Sequence, residues 1–132
     1  QIDQLGLHDR IYLKGITQNI LEKVYTASLF VLTSDYEGMP NALMEAMAVG
    51  VPCISTDCRP GGARELIENG KNGWIVPVNN VDALSDKIRN VLNTLSESGN
   101  IAKKAIEIRH TYSSYIVFNR WDRFLNTQKR KM

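Results

Sequence analysis

The 132-residue sequence predicts an α/β fold, a parallel sheet flanked by helices, and three observations carry that reading. Short runs of β-forming residues alternate with helix-patterned segments, the order expected of strand–helix–strand units. Leu29-Phe30-Val31-Leu32 is apolar throughout, as in a strand covered on both faces rather than one. The chain is also long enough for one domain with a real core.

The elements follow in order. Ile11-Tyr12-Leu13 reads as a strand ended by Gly15, and Gln18 to Thr26 as a helix with Ile20, Leu21 and Val24 inside. Leu29 to Leu32 is the next strand. Pro40 suits the first turn of a helix, because its missing N–H would have no partner there. That helix runs to about Val49, with Gly50 as its C-terminal cap. Pro52 opens a strand from Cys53 to Thr56. A Gly-rich loop, Asp57 to Gly62, leads to a short helix over Ala63 to Glu68. Gly70 and Asn72-Gly73 punctuate the chain before a strand at Trp74 to Val78. Val81, Leu84, Ile88, Val91, Leu92 and Leu95 then follow helical spacing. A second helix is expected over Asn100 to Arg109. A third is capped by Ser113 and buries Ile116, Trp121, Phe124 and Leu125, with Trp121 reading as core or as a docking surface that stands exposed in this chain.

This is a Rossmann-like half-domain. In such sheets ligands bind beyond the carboxyl ends of the strands, the edge where the loop Ser34 to Met39 must lie.

Composition excludes several classes. A net charge of +2 leaves no electrostatic footprint for nucleic acid, and the basic run Lys129-Arg130-Lys131 reads as a solvated tail. No run of 18 apolar residues and no charged-then-apolar leader shows. Cys53 and Cys58 lack CxxC spacing and a partner His cluster, so no metal site and no structural disulfide is expected; Cys53, in an apolar strand, reads as a buried thiol, and a reducing cytoplasm fits. His8 and His110 are isolated. The chain opens on Gln1 rather than Met, which reads as a piece of something longer.

The segment SDYEGMPNALMEAM places Glu37 just before a helix start and Glu45 inside the helix. The N–H groups of Asn41, Ala42 and Leu43 have no intrahelical acceptor there and, with the helix dipole, favour an anion such as phosphate. Gly38 would let an oxygen approach the backbone closely. Asn41 and Glu45 share one helical face, and Glu45 sits about 7 Å along from the tip, a position suited to ribose hydroxyls. The arrangement reads as a holder for a sugar–diphosphate–nucleoside. A bland reading stands beside it: acidic residues near a helix N-terminus also complement the dipole, and Glu45 fits a solvated helical face.

Glu37 and Glu45 form an E-x7-E pattern within LTSDYEGMPNALMEAMAVGVPCISTD. This resembles the family 4 retaining glycosyltransferases of the GT-B fold, whose corresponding stretch runs S-x-x-E-G-x-P-x-x-x-x-E-A-M-A-x-G-x-P. LGLHDRIYLKG before it and GGARELIENGKNGWIVPVNNVDAL after it extend the likeness over nearly the whole chain. STDCRPGGARELI is similar to bacterial enzymes that build capsule, O-antigen and other surface glycans.

The resemblance implies a retaining transferase whose substrate is a nucleotide-sugar donor, a UDP- or GDP-sugar, with no further cofactor. It implies that Glu37 contacts the donor sugar and supports the reacting centre. Gly38, Met39, Pro40, Asn41, Ala42 and Leu43 would hold the diphosphate, Glu45 the ribose, and Gly15 and Ile16 the nucleobase. Arg59 and Arg64 are further candidates for phosphate or acceptor. The chain matches the C-terminal, donor-binding part of that fold. Its first strand–helix unit, with the basic residues that neutralise the diphosphate, and the N-terminal acceptor domain would precede Gln1. The chain alone is therefore expected to be inactive and to bind nucleotide weakly. A glycan or lipid-linked acceptor would dock on the other domain, with the full-length enzyme cytoplasmic and able to lie against the membrane. Two alternatives stand: a GT-B nucleotide-sugar epimerase, and a non-catalytic Rossmann-like binding module.

Overall fold

A computed structural model describes residues 1–129; for 95–97 and 128–129 only the backbone is described. Three parallel strands, β1 (Phe30–Leu32), β3 (Cys53–Thr56) and β5 (Trp74–Val76), form the main sheet in the order β1-β3-β5. β1 aligns Phe30 with Cys53, and β3 aligns Ile54 with Trp74. A second, two-stranded ladder joins β2 (Tyr36–Glu37) to β4 (Arg59–Pro60), also parallel.

Helices cover both faces, as the apolar strands require. Because successive side chains alternate, Cys53 packs with Leu43, Ala46 and Met47 of α2 (Asn41–Ala48) on one face. Ile54 packs with Val76 and with Val91, Leu84 and Ile88 of α4 (Val81–Asn93) on the other. β3, central in the sheet, is buried at all four residues. α1 (Ile20–Tyr25) lies beside α2, and α3 (Gly62–Leu66) buries Ala63 and Leu66 in the α2 cluster. α5 (Leu95–Ala105), α6 (Ile108–Tyr112) and α7 (Ser114–Lys129) close the chain.

Local signals explain the boundaries of α2. Gly50, at φ 80°, donates to Met47 at 3.0 Å, and Val51 donates to Ala46 at 3.2 Å, the paired bonds of a Schellman cap. A Cβ on Gly50 would also come within 2.8 Å of Ile106 Cδ1. The start of α4 is held by Asn80, whose side-chain oxygen accepts from the Ala83 N–H at 2.9 Å.

Several expectations change. Ile11-Tyr12-Leu13 is not a strand: among the described residues no strand runs alongside it, and all three side chains are exposed. Three β-formers without a hydrogen-bonding neighbour do not make a ladder. Ile20 and Leu21 are exposed, and of the three residues assigned to the inner face of α1 only Val24 packs on the core. In α4, Val81 and Leu92 point outward, and the Leu95 side chain lies outside those described. The single helix expected over Asn100 to Arg109 is two, α5 and α6, with a turn at Ile106-Glu107 that lets Ile108 join the Met47 cluster. Trp121, Phe124 and Leu125 of α7 are exposed rather than buried, Trp121 by 60%. The tail expected to be solvated at Lys129-Arg130-Lys131 falls outside the residues described in full.

Burial has a chemical consequence at Cys53. Desolvation pushes its thiol from 9.0 up to about 12, and its Sγ donates to the Val51 carbonyl at 3.1 Å. The thiol is therefore expected to resist alkylating reagents in the native protein and to react fully once unfolded. The unfolded chain loses this proton near pH 9 while the folded chain keeps it to about 12. Cys53 thus has no effect on the pH dependence of stability below pH 9, and its contribution is lost as pH rises from 9 to about 12. Urea melts of the unmodified protein and of Cys53→Ala across that range are expected to converge as pH rises.

Candidate functional site

The site is assembled where β1 and β3 end side by side, at Leu32 and Thr56. The two chains leaving the sheet stay together. After Ser34 and Asp35 the first pairs as β2 with β4 of the second, Tyr36 opposite Arg59 and Glu37 opposite Pro60. Glu37 is thereby held on a short parallel ladder rather than on a free loop.

Three further contacts hold it. The Thr56 hydroxyl, on the buried central strand, donates to the Ser34 carbonyl at 2.5 Å. The Ser34 hydroxyl donates to Glu37 Oε1 at 2.9 Å. Gly62, buried at the start of α3, lies against Gly38, the residue after Glu37; a Cβ there would sit 1.5 Å from the Gly38 carbonyl oxygen and 3.0 Å from Pro40 Cδ. Gly61 turns the chain into that contact at φ 112°, a conformation suited to glycine.

Beyond Gly38 the chain enters α2. Pro40 is its N-cap, buried and with no side chain capping the turn. Asn41 and Ala42 are exposed, and among the described residues their N–H groups meet no acceptor. Leu43 differs from expectation: its N–H donates to the Pro40 carbonyl at 3.1 Å, and its side chain is wholly buried. The first turn tightens to a 3₁₀ bond, so two open donors remain at the tip instead of three. Gly38 and Met39 are exposed beside them, and a Cβ on Gly38 would have nothing within 4 Å. The open space there faces out of the protein.

Glu45, one turn along from Asn41, is exposed and has no ion-pair partner among the described residues. It lines a hollow of about 410 Å³ with Gln18 to Glu22, the stretch that begins α1. Gly15 (φ 60°) and Ile16 are not among the residues lining it. Ile16 is fully exposed. The structure thus gathers Glu37 through Asn41 at one edge, while Glu45, farther along α2, lines hollows against both α1 and α6, and Gly15 and Ile16 line neither.

The basic candidates at this edge part ways. Arg64 forms a two-point ion pair with Asp57, which raises its already high pKa. Arg59 is exposed, without an ion pair among the described residues. His8 and His110 are exposed, and among the described residues no three metal-binding side chains converge.

A family model described as glycosyl transferases group 1 matches residues 1–108. The chain belongs to that family. It is 34% identical over 122 residues to an exopolysaccharide phosphotransferase of Streptomyces coelicolor, covering 92% of this chain and 13% of that protein. It is 35% identical over 127 residues to the putative colanic acid biosynthesis glycosyltransferase WcaL of Escherichia coli, covering 88% of this chain and 30% of that one. Among solved structures, a mutant of S. aureus TarM, in complex with fondaparinux, alpha-GlcNAc-glycerol and UDP, superposes at TM-score 0.85 and 28% identity, over 95% of this chain and 25% of TarM. HepE of Anabaena, in complex with UDP, superposes at TM-score 0.90 over 96% of this chain and 35% of HepE; at 24% identity that likeness is one of fold. The chain thus spans about a third or less of the length of these proteins.

Within this group 1 chain, sequence reasoning passed over Ser34, Thr56 and Gly62. Ser34 lies inside the motif but carries no local signal of its contact with Glu37, and Thr56 reads only as a strand end. The pair Gly61-Gly62 was the one available signal for a close backbone approach.

Proposed function

We propose that the chain is the donor-binding part of a two-domain, GT-B glycosyltransferase. The full-length enzyme would transfer a sugar from a nucleotide donor to a glycan or lipid-linked acceptor with retention, in surface polysaccharide biosynthesis. One observation carries the reading: two uncommitted N–H groups at the tip of α2 lie between Glu37 and Glu45, at the carboxyl edge of a parallel sheet. The diphosphate fits the tip, where dipole and open donors favour negative charge. The sugar fits the Glu37 side, where a carboxylate accepts from hydroxyls and offsets positive charge developing at the anomeric carbon as its bond to the diphosphate breaks. The ribose fits Glu45 and the hollow beside α1. The solved structures of HepE and TarM contain UDP, which supports a UDP-sugar as donor.

The acceptor and the cations opposing the diphosphate belong, in this proposal, to parts of the protein outside this chain. The chain's share of its relatives' length supports that division. Among the described residues no helix is long and apolar enough to cross a membrane. The full-length enzyme would work in the cytoplasm, peripheral to the membrane that carries a lipid-linked acceptor.

Thermal shifts of the full-length protein with UDP-, GDP- and ADP-glucose test the donor class. Glu45→Ala is then expected to weaken binding of the preferred nucleotide roughly 10- to 100-fold, the loss of hydrogen bonds to a charged group. Unchanged nucleotide affinity removes Glu45 from the site.

A further inference from the structure

Ser34 makes a contact to which no role has been given. Its hydroxyl has one proton, and that proton is directed at Glu37 Oε1 rather than at the backbone. Its carbonyl is pinned at 2.5 Å by the hydroxyl of Thr56. Thr56 is itself buried at the end of β3, the strand paired on both sides. A continuous line therefore runs from the most buried strand of the sheet to one oxygen of a half-buried carboxylate. An ionised carboxylate has two acceptor oxygens. With Oε1 engaged by Ser34, the rotation of the carboxyl group is set, and Oε2 has no partner among the described residues.

We infer that Ser34 is a positioning residue for Glu37: by holding Oε1 it aims Oε2 at the donor sugar. This rests on the donor-site reading above. It predicts that Ser34 acts on the sugar and not on the nucleotide, because the tip of α2 does not depend on its hydroxyl. Threonine at this position would keep the donor; alanine would not. A group acting only by aiming another loses its effect when that other group is gone.

The test uses the full-length protein and whichever of UDP-, GDP- and ADP-glucose binds it best, with the matching nucleoside diphosphate alone as the second probe. Ser34→Ala is expected to weaken nucleotide-sugar binding on the order of 10-fold, because a carboxylate no longer held makes a poorer hydrogen bond to the sugar, and a bond to a charged group contributes more than a neutral one. The nucleoside diphosphate is expected to bind as before. Ser34→Thr is expected to restore most of the loss. In a Glu37→Ala background, Ser34→Ala is expected to cost nothing further. Equal weakening of nucleoside diphosphate and nucleotide sugar, failure of Ser34→Thr to rescue, or an undiminished loss in the Glu37→Ala background would each overturn the inference. Failure of the donor reading looks different: none of the three nucleotide sugars binds the unmodified protein, or Glu37→Ala leaves binding intact, and the inference then falls with it.

Discussion

The Gly62→Ala variant is expected to lose about 2–4 kcal/mol of folding stability, at the upper end of what overpacking a close contact costs. Nucleotide-sugar binding is expected to be lost with it. The added Cβ would lie 1.5 Å from the carbonyl oxygen of Gly38 and 2.7 Å from its carbonyl carbon. Flexible side chains can swing out of such a clash, but these are backbone atoms. Relief requires moving α3 away from the sheet edge or pushing Gly38 outward, and Gly38 joins Glu37 to the tip of α2. Urea unfolding and calorimetric titration measure the two effects separately. Gly38→Ala supplies the contrast, because the space around that Cβ is empty and its φ is not positive. Its stability is expected to stay within about 0.5 kcal/mol of the unmodified protein, while the methyl group obstructs a ligand at the helix tip. If Gly62→Ala melts with the unmodified protein, the close approach of α3 to this loop is not a constraint on the fold.

Glu37→Gln is expected to reduce sugar transfer by the full-length enzyme roughly 10²- to 10³-fold, the range for removing one electrostatic contribution to a transition state. Glutamine keeps the shape and an oxygen able to accept from Ser34, so the loss would be assigned to the charge. Affinity for the nucleoside diphosphate alone is expected to change by less than about threefold, since a diphosphate at the helix tip makes no use of this carboxylate. Initial rates with a nucleotide sugar, alongside calorimetry with the diphosphate, make the comparison. Transfer at the unmodified rate would remove Glu37 from the reaction.

How much of this was legible in the sequence depended on the range of the interactions involved. The start and end of α2 could be read because Pro40 and Gly50 act within one turn of themselves. Cys53 to Thr56 was readable because a strand between two neighbours must be apolar or small on both faces. Ile11 to Leu13 has the same local character and formed no strand, since a ladder depends on a neighbour that local pattern does not report. Trp121, Phe124 and Leu125 show the complementary limit: helical spacing reveals an apolar face but not what covers it. At the site, the E-x7-E spacing around a helix tip was visible, whereas the supports of Glu37 were not. Thr56 reaches Ser34 across 22 positions, and Gly62 meets Gly38 across 24. Two-residue strands such as β2 and β4 leave no periodicity to detect.

The pairing of β2 with β4 bears on how sequences of this family can be recombined. The segments 33–39 and 57–62 meet through the ladder and, at the two ends of the second, through Thr56 against Ser34 and Gly62 against Gly38. A chimera that exchanges only the first segment for that of a relative would inherit a partner matched to a different backbone. Insertions in either segment would have to be accommodated outside Tyr36–Glu37 and Arg59–Pro60, or both segments would shift together. The unit of exchange between relatives is therefore the pair of segments, two loops rather than one.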